Sequence, residues 1–357
     1  MINEKRLLDT FIGYAMIDSE TKNEKAMGEK LVEDLNALGL EVKTDKAGEG
    51  FGSNGFNVCA YLPGTIPGEP TIMCAHMDTV TPGNGIKPLI DDGIIHTDGS
   101  TILSGDDKSG IAAIMEAVKV IKEQNLPCRN TEILFTIGEE GGMNGVKNMD
   151  LSMIKGKEAM VFDASGDVGK ILTCGPGQIK IFATIIGRSS HAGLAPEEGI
   201  SAIQVAAKGI AKMNLLRIDE ETTCNIGTLK AEFVAEVRSR NLDKLNAQAA
   251  HMQKCLQDAC DEMGAKLEIE LKTNYVSFNV ANDDPMVQRV FESCKRIGCE
   301  PMTAKGGGGS DANVMALHGI KPIVLSTGMT KVHTTGETLK IENLNKCAEL
   351  VLDLMTH

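Results

Sequence analysis

Hydrophobic positions in this chain repeat with two different periods, and the order of the two predicts an architecture. Between residues 23 and 38, Met27, Leu31, Leu35 and Leu38 recur at helical intervals and stop before Gly39, a residue suited to a helix C-terminus. Extended runs follow at 41–44 and 57–62, the second stopped by Pro63 and Gly64. Residues 71–75 form a short unbroken apolar run, the pattern of a strand buried on both faces. Ile111, Ile114, Met115, Val118 and Ile121 then mark one face of a helix over 109–124, and two more strand-like runs lie at 132–137 and 159–162. Strand, helix, strand in this order predicts an α/β fold with a largely parallel mixed sheet flanked by helices. In such sheets polar groups gather beyond the carboxyl ends of the strands.

From Gln178 the texture changes. A strand at 179–186, a helix at 199–213, a hairpin made of 222–230 and 231–238, a helix at 242–263 and a strand at 266–278 spell β-α-β-β-α-β, a ferredoxin-like α+β unit. The first pattern resumes after Asp284-Pro285, with a helix at 286–297, a glycine-rich loop from Gly306 to Asp311, a helix at 312–317, a strand at 323–326 and a closing helix around 343–355. The expected organisation is a discontinuous domain, residues 1–178 and 286–357, with a second domain inserted at 179–285.

Composition narrows the picture. A chain of 357 residues accommodates two domains, and 42% hydrophobic residues supply their cores. Aromatic residues make up 3% and Trp is absent, so those cores must be aliphatic and rich in Met. A formal charge of −13 argues against nucleic acid and against an anionic membrane as partners, because both demand a basic footprint. No apolar run approaches the ~18 residues of a membrane span, and residues 1–9 lack an apolar signal core, which together point to a cytoplasmic protein. The ten cysteines are scattered without a Cys-x-x-Cys pair, and several sit among apolar residues, as expected of free thiols in a reducing compartment.

Candidate chemistry gathers in the larger domain. Asp106 and Asp107 stand side by side at a helix entrance within Ser104-Gly105-Asp106-Asp107-Lys108-Ser109-Gly110. One carboxylate there can cap the helix, but adjacent like charges repel and only one can cap, which calls for a cation. His76 and Asp78 follow the apolar run at 71–75, Glu139 and Glu140 follow the run at 132–137, Asp163 follows 159–162, and His333 comes late in the chain. His, Asp and Glu without thiolate suit a catalytic zinc, cobalt or manganese site. In extended backbone, residues two apart point the same way, so Asp78 can accept from one ring nitrogen of His76 while the other binds metal. Of two adjacent glutamates, one can bind metal while its neighbour takes a proton from water.

In order along the chain, His76-x-Asp78, Gly105-Asp106-Asp107-Lys108-x-Gly110, Gly138-Glu139-Glu140, Asp163, Gly187-Arg188-Ser189-Ser190-His191-Ala192-Gly193 and His333-Thr334 resemble the motifs of the M20 family of dizinc peptidases and deacylases, nearest its peptidase T branch. The resemblance covers essentially the whole chain. It implies a catalytic domain with an inserted lid, and two divalent metal ions per subunit, zinc first, with cobalt or manganese as alternatives. Asp106 would bridge the metals, His76 and Asp163 would bind one, and Glu140 and His333 the other. Glu139 would be the general base, Asp78 would orient a ligand, and Asp107 would hold the bridging carboxylate, a cis peptide typically following the bridge in the family. His191 on the lid would stabilise an oxyanion, Asn225 and Arg238 would contact substrate, and Gly309 and Ser310 could offer main-chain N–H groups. Tripeptidases of the family carry Arg directly before a shorter Gly-Gly-Thr-Asp loop, whereas this chain has Gly307 there and Lys305 two places earlier. The expected activity is removal of the N-terminal residue from short peptides by a cytoplasmic zinc metallopeptidase, with a homodimer formed through the lid as a possible assembly. A deacylase or carboxypeptidase acting on N-acyl amino acids or dipeptides, and a non-catalytic metal- or peptide-binding homologue, are the alternatives.

Overall fold

The apolar run at 71–75 becomes the second half of the strand Ile66–His76, and every residue from Thr71 to His76 is buried. It is buried because both its edges are paired, in parallel register with Arg129–Thr136 on one side and Glu158–Ala164 on the other. Lys321–Ser326 continues the parallel centre beside Glu158–Ala164. Outer strands Glu41–Thr44 and Val58–Leu62 on one flank, and Lys170–Gly175 on the other, each pair antiparallel with the strand inside them. The result is the mixed sheet, parallel at its centre, that the patterning predicts.

The structure is a computed structural model and describes residues 1–190, 195–229 and 232–357. It separates into one unit made of Met1–Thr173, Val280–Lys305 and Ser310–His357, and another made of Cys174–Asn279 and Gly306–Gly309. In the first unit, helix Gly105–Gln124 packs on the strand Ile66–His76 and against helices Glu4–Ala15 and Ile341–Thr356. Its apolar stripe, Ile111, Ile114, Met115, Val118 and Ile121, is buried, and each such side chain contributes roughly 1.5–3 kcal/mol before entropy is counted.

The start of this helix departs from regularity where the chemistry sits. Asp106 (φ −82°, ψ 105°) and Asp107 (φ −121°, ψ 32°) lie outside helical space, so regular winding begins only after the two acids. The peptide bond between them is cis. Gly110 allows the first turn to settle close by, since a Cβ there would stand 2.6 Å from Asp107 Oδ1 and 2.7 Å from the carbonyl oxygen of Phe162.

Two features lie outside the predicted elements, the first although Leu7, Phe11 and Tyr14 recur at helical intervals. Helix Glu4–Ala15 buries Leu7, Phe11, Tyr14 and Ala15. A separate four-stranded sheet, ordered Met329–Thr330, Thr338–Lys340, Ile94–His96, Leu89–Asp91, is built from strands of two or three residues. Its Met329–Thr330 and Thr338–Lys340 strands pair antiparallel and carry His333 on the connection between them.

The second unit is antiparallel throughout, with strands in the order Leu216–Arg217, Thr222–Leu229, Glu232–Ser239, Gly177–Ile186, Lys266–Tyr275. Helices Ala202–Ile210 and Leu242–Met263 share a core with the inward residues of these strands. The longer helix is capped by Asn241, whose side chain accepts from Lys244 N, and stopped by Gly264 at φ 70°. Ser201 starts the shorter helix later than the apolar spacing suggests, because its side chain accepts from Gln204 N.

All ten cysteines are free thiols, and burial pushes those of Cys59 and Cys294 up to about 12. Among the described residues, no helix is long and apolar enough to cross a membrane.

Candidate metal centre

Sheet topology brings the separated motifs together. Neighbouring parallel strands Ile66–His76, Arg129–Thr136 and Glu158–Ala164 end on the same side, which delivers His76 and Asp163 directly and leads into the turn holding Glu139 and Glu140. The irregular start of helix Gly105–Gln124 adds Asp106 and Asp107, and the small sheet adds His333.

The carboxylate of Asp106 is divided between two imidazoles. Its Oδ1 lies 3.0 Å from His76 Nε2 and its Oδ2 3.2 Å from His333 Nε2. Around the first imidazole, Asp163 Oδ1 stands 3.7 Å from His76 Nε2; around the second, Glu140 Oε1 stands 3.1 Å from His333 Nε2. His76 is buried, whereas the His333 side chain is half exposed. The His76 Nδ1 has the carbonyl oxygen of Asp78 at 2.9 Å, closer than the Asp78 carboxylate at 3.5 Å. With Nδ1 donating to that carbonyl, Nε2 is the ring nitrogen turned toward Asp106 and Asp163.

The Asp78 carboxylate has a second task that extended-strand geometry did not suggest. Oδ1 accepts the main-chain N–H of Glu139 at 2.9 Å, Oδ2 accepts that of Glu140 at 3.2 Å, and Oδ2 also accepts the Thr21 hydroxyl at 2.7 Å. Asp78 therefore fixes the turn that presents both glutamates. Asp107 accepts the main-chain N–H of His76 on Oδ2 at 3.2 Å, while its buried Oδ1 has no hydrogen-bond partner. Neither acid caps the helix.

The protonation pattern shows what charge the cluster lacks. Burial pushes the carboxyls of Glu139, Asp107 and Asp163 well above the usual range, and neighbouring acids push each of them further the same way. Burial opposes ionisation of Asp106 as well, but the hydrogen bonds from His333 and His76 outweigh it and hold that carboxyl low. His333 is raised to about 10 by its bonds to Asp106 and Glu140. A buried set of acids that must hold protons to relieve its own repulsion is matched by cations. Two groups have donor atoms all within 4.8 Å of one another: His76, Asp106 and Glu140, and His76, Asp107 and Asp163. Imidazole nitrogens and carboxylate oxygens with one orphaned buried oxygen fit a divalent cation of the zinc, cobalt or manganese kind.

Other residues singled out in the sequence lie elsewhere or are otherwise engaged. Asn225 and Arg238 occupy neighbouring strands of the second unit, on the sheet face opposite buried Cys224 and Val237, and Arg238 Nε sits 3.3 Å from Glu236 Oε1. Gly309 belongs to that unit too. Ser310 precedes helix Asp311–Leu317, and its N–H donates to Asn313 Oδ1 at 3.0 Å, so the expectation that this N–H is offered outward is corrected. His191 lies outside the described residues.

Three residues near the centre escaped the sequence reading. Thr21 supports Asp78, as described. Lys108, fully buried, donates to the carbonyl oxygen of Ile17 at 2.7 Å; burial brings its ammonium down to about 7, against the pull of Asp18, Asp78 and Glu337. Asp311 is buried with Oδ2 accepting from Thr136 and Oδ1 unpartnered, and burial lifts it to about 7. The Asp106-Asp107-Lys108 triplet was the available signal for Lys108, since a cation adjoining two acids belongs with them; Thr21 and Asp311 offered none.

Comparison with known proteins agrees with this geometry. The model of peptidase family M20/M25/M40 matches residues 72–357. An aminopeptidase PepT of known structure from Bacillus cereus ATCC 10987 is 42% identical with a TM-score of 0.93, over 99% of this chain and 98% of that one. The structure of a tripeptidase from Staphylococcus aureus subsp. aureus Mu50 is 38% identical with a TM-score of 0.95, over 100% and 98%. Uncharacterized protein YqjE of Bacillus subtilis (strain 168) is 41% identical over 366 residues, 99% of each chain.

Proposed function

Since the chain belongs to peptidase family M20/M25/M40 and is a metallopeptidase, we propose that it removes the N-terminal residue from short peptides, using two divalent metal ions and Glu139 as general base. The observation that carries this reading is the division of the Asp106 carboxylate between His76 and His333. One ion would be held by His76 and Asp163, the other by Glu140 and His333, with Asp106 shared. Zinc is the first choice, with cobalt or manganese as alternatives. Bound there, such ions supply Lewis acidity toward a carbonyl oxygen and lower the pKa of water.

The remaining chemistry falls to side chains. Glu139 leads the acid pair presented by the turn that Asp78 anchors, and its carboxylate takes the proton of the attacking water and passes it to the leaving amine. The Asp78 carbonyl keeps a proton on His76 Nδ1, leaving Nε2 to bind. Contacts of substrate with His191, Asn225 and Arg238 follow from the family resemblance.

The test is metal analysis of the purified protein followed by product analysis with Ala-Ala-Ala, N-acetyl-Ala-Ala-Ala and N-acetyl amino acids. Release of Ala from the free-amine peptide alone, dependent on divalent metal, is the expected result. Faster cleavage of N-acetyl amino acids would replace the aminopeptidase reading with a deacylase, and release of the carboxyl-terminal residue first would replace it with a carboxypeptidase.

A further inference from the structure

Glu337 is 2% exposed and plays no part in the scheme above. Its two oxygens accept three main-chain N–H groups from a single distant loop: Oε2 takes those of Leu103 and Ser104, each at 3.0 Å, and Oε1 takes that of Asp106 at 2.9 Å. The loop is shaped for it. A Cβ on Gly105 would come to 2.9 Å from Glu337 Oε1, so any larger residue between the donors would push the carboxylate from its seat.

The main chain of Glu337 belongs to the turn that follows His333. Its N–H donates to the carbonyl oxygen of Thr334 at 3.1 Å, closing the turn that follows His333, and the chain then enters the strand Thr338–Lys340 of the small sheet. One buried side chain therefore joins the loop presenting Asp106 to the turn presenting His333. These two residues reach each other from regions far apart in sequence, and among the described residues no other side chain links the main chain of the two segments. A ligand's main chain must be fixed before its carboxylate can hold two partners at once, and groups that orient ligands in this way govern how tightly a metal is held.

We propose that Glu337 is a positioning residue of the metal centre, setting the separation of Asp106 and His333 by anchoring both of their loops. The inference rests on the reading of Asp106 and His333 as ligands. Glu337→Gln replaces one oxygen with an N–H₂ group, which would face a main-chain N–H and turn an attraction into a repulsion. Gly105→Ala reaches the same end from the opposite side, by displacing the carboxylate.

The full-length protein and both variants are freed of metal and titrated with Zn2+ against a chromophoric chelator; Co2+-substituted forms are compared by absorption spectrum, and thermal midpoints are recorded without metal. Glu116→Gln serves as control, because Glu116 is a buried acid that holds Asn3 and Arg6 and no part of the centre. Glu337→Gln is expected to weaken zinc binding by roughly 10- to 100-fold and to change the Co2+ spectrum, whereas Glu116→Gln lowers the thermal midpoint and leaves both unchanged. Should Glu337→Gln fail to fold, Gly105→Ala must show the same loss of affinity. A folded variant of either kind that keeps native affinity and spectrum overturns the proposal, including one that loses only thermal stability. Native protein that takes up no divalent metal would remove the ligand reading and this inference together, whereas native binding with unaffected variants removes only the role of Glu337.

Discussion

The main-chain N–H of Glu139 donates to Oδ1 of Asp78 at 2.9 Å, so the acid two places beyond one candidate ligand holds the backbone of the candidate base. Replacing Asp78 with Ala removes this bond and those from Glu140 and Thr21 together. The expected loss in kcat/KM is about 10- to 100-fold, with a smaller loss for Asp78→Asn, which keeps one accepting oxygen. Steady-state kinetics at saturating metal decide the matter; equal activity of Asp78→Ala and the native protein would remove this role.

Glu139→Gln keeps the shape of the side chain and removes its capacity to accept a proton. The expected consequence is a fall in kcat of about 10²- to 10⁴-fold with unchanged metal content. Elemental analysis beside the kinetics separates this outcome from loss of the ions. A variant that turns over at the native rate would transfer the role of base to another group.

Removal of metal should cost stability as well as activity. A ligand at 1,000 times its dissociation constant stabilises the folded state by about 4 kcal/mol, and without it the buried acids must again take up protons. Calorimetry is expected to show a lower thermal midpoint after chelation, restored by Zn2+, Co2+ or Mn2+. An unchanged midpoint would count against a cation held by these residues.

A pH effect is expected away from the centre. Asp284 caps helix Pro285–Arg296 by accepting from Met286 N and lies 2.9 Å from Lys321 Nζ. Burial opposes its ionisation, but Lys321 and the Met286 N–H hold its carboxyl below the usual range. A carboxyl depressed in the folded state contributes stability above its unfolded pKa of about 3.9, and that contribution disappears as pH falls through the folded value. Asp284→Asn preserves the cap and removes the charge, so its midpoint should lie below that of the native protein at neutral pH and meet it in strong acid. Asp284→Ala should lose a further ~1 kcal/mol at every pH, the contribution of the cap.

How much of this was legible depended on the kind of interaction. The strand ending at His76 announced itself because burial on both faces demands continuous apolar residues, and the helix at 25–37 did so through the spacing of Met27, Leu31 and Leu35 before Gly39. The chemical types of His76, Asp106, Glu139, Glu140, Asp163 and His333 stood out at strand ends and turns, and the topology gathers them. Contacts to the main chain were invisible, since every residue but proline offers the same N–H. For that reason Asp78 and Glu337 reveal their partners only in three dimensions. Strands of two or three residues show no alternation, so the small sheet bearing His333 left no trace.

That small sheet also imposes an order on biosynthesis. Asp106, Glu139, Glu140 and Asp163 leave the ribosome well before His333 and Glu337 do, yet both sides of the Asp106 carboxylate are flanked only once the strand Thr338–Lys340 has joined Ile94–His96. The centre is therefore complete only after residues 333–340 have emerged, and a chain ending before them would lack both His333 and Glu337.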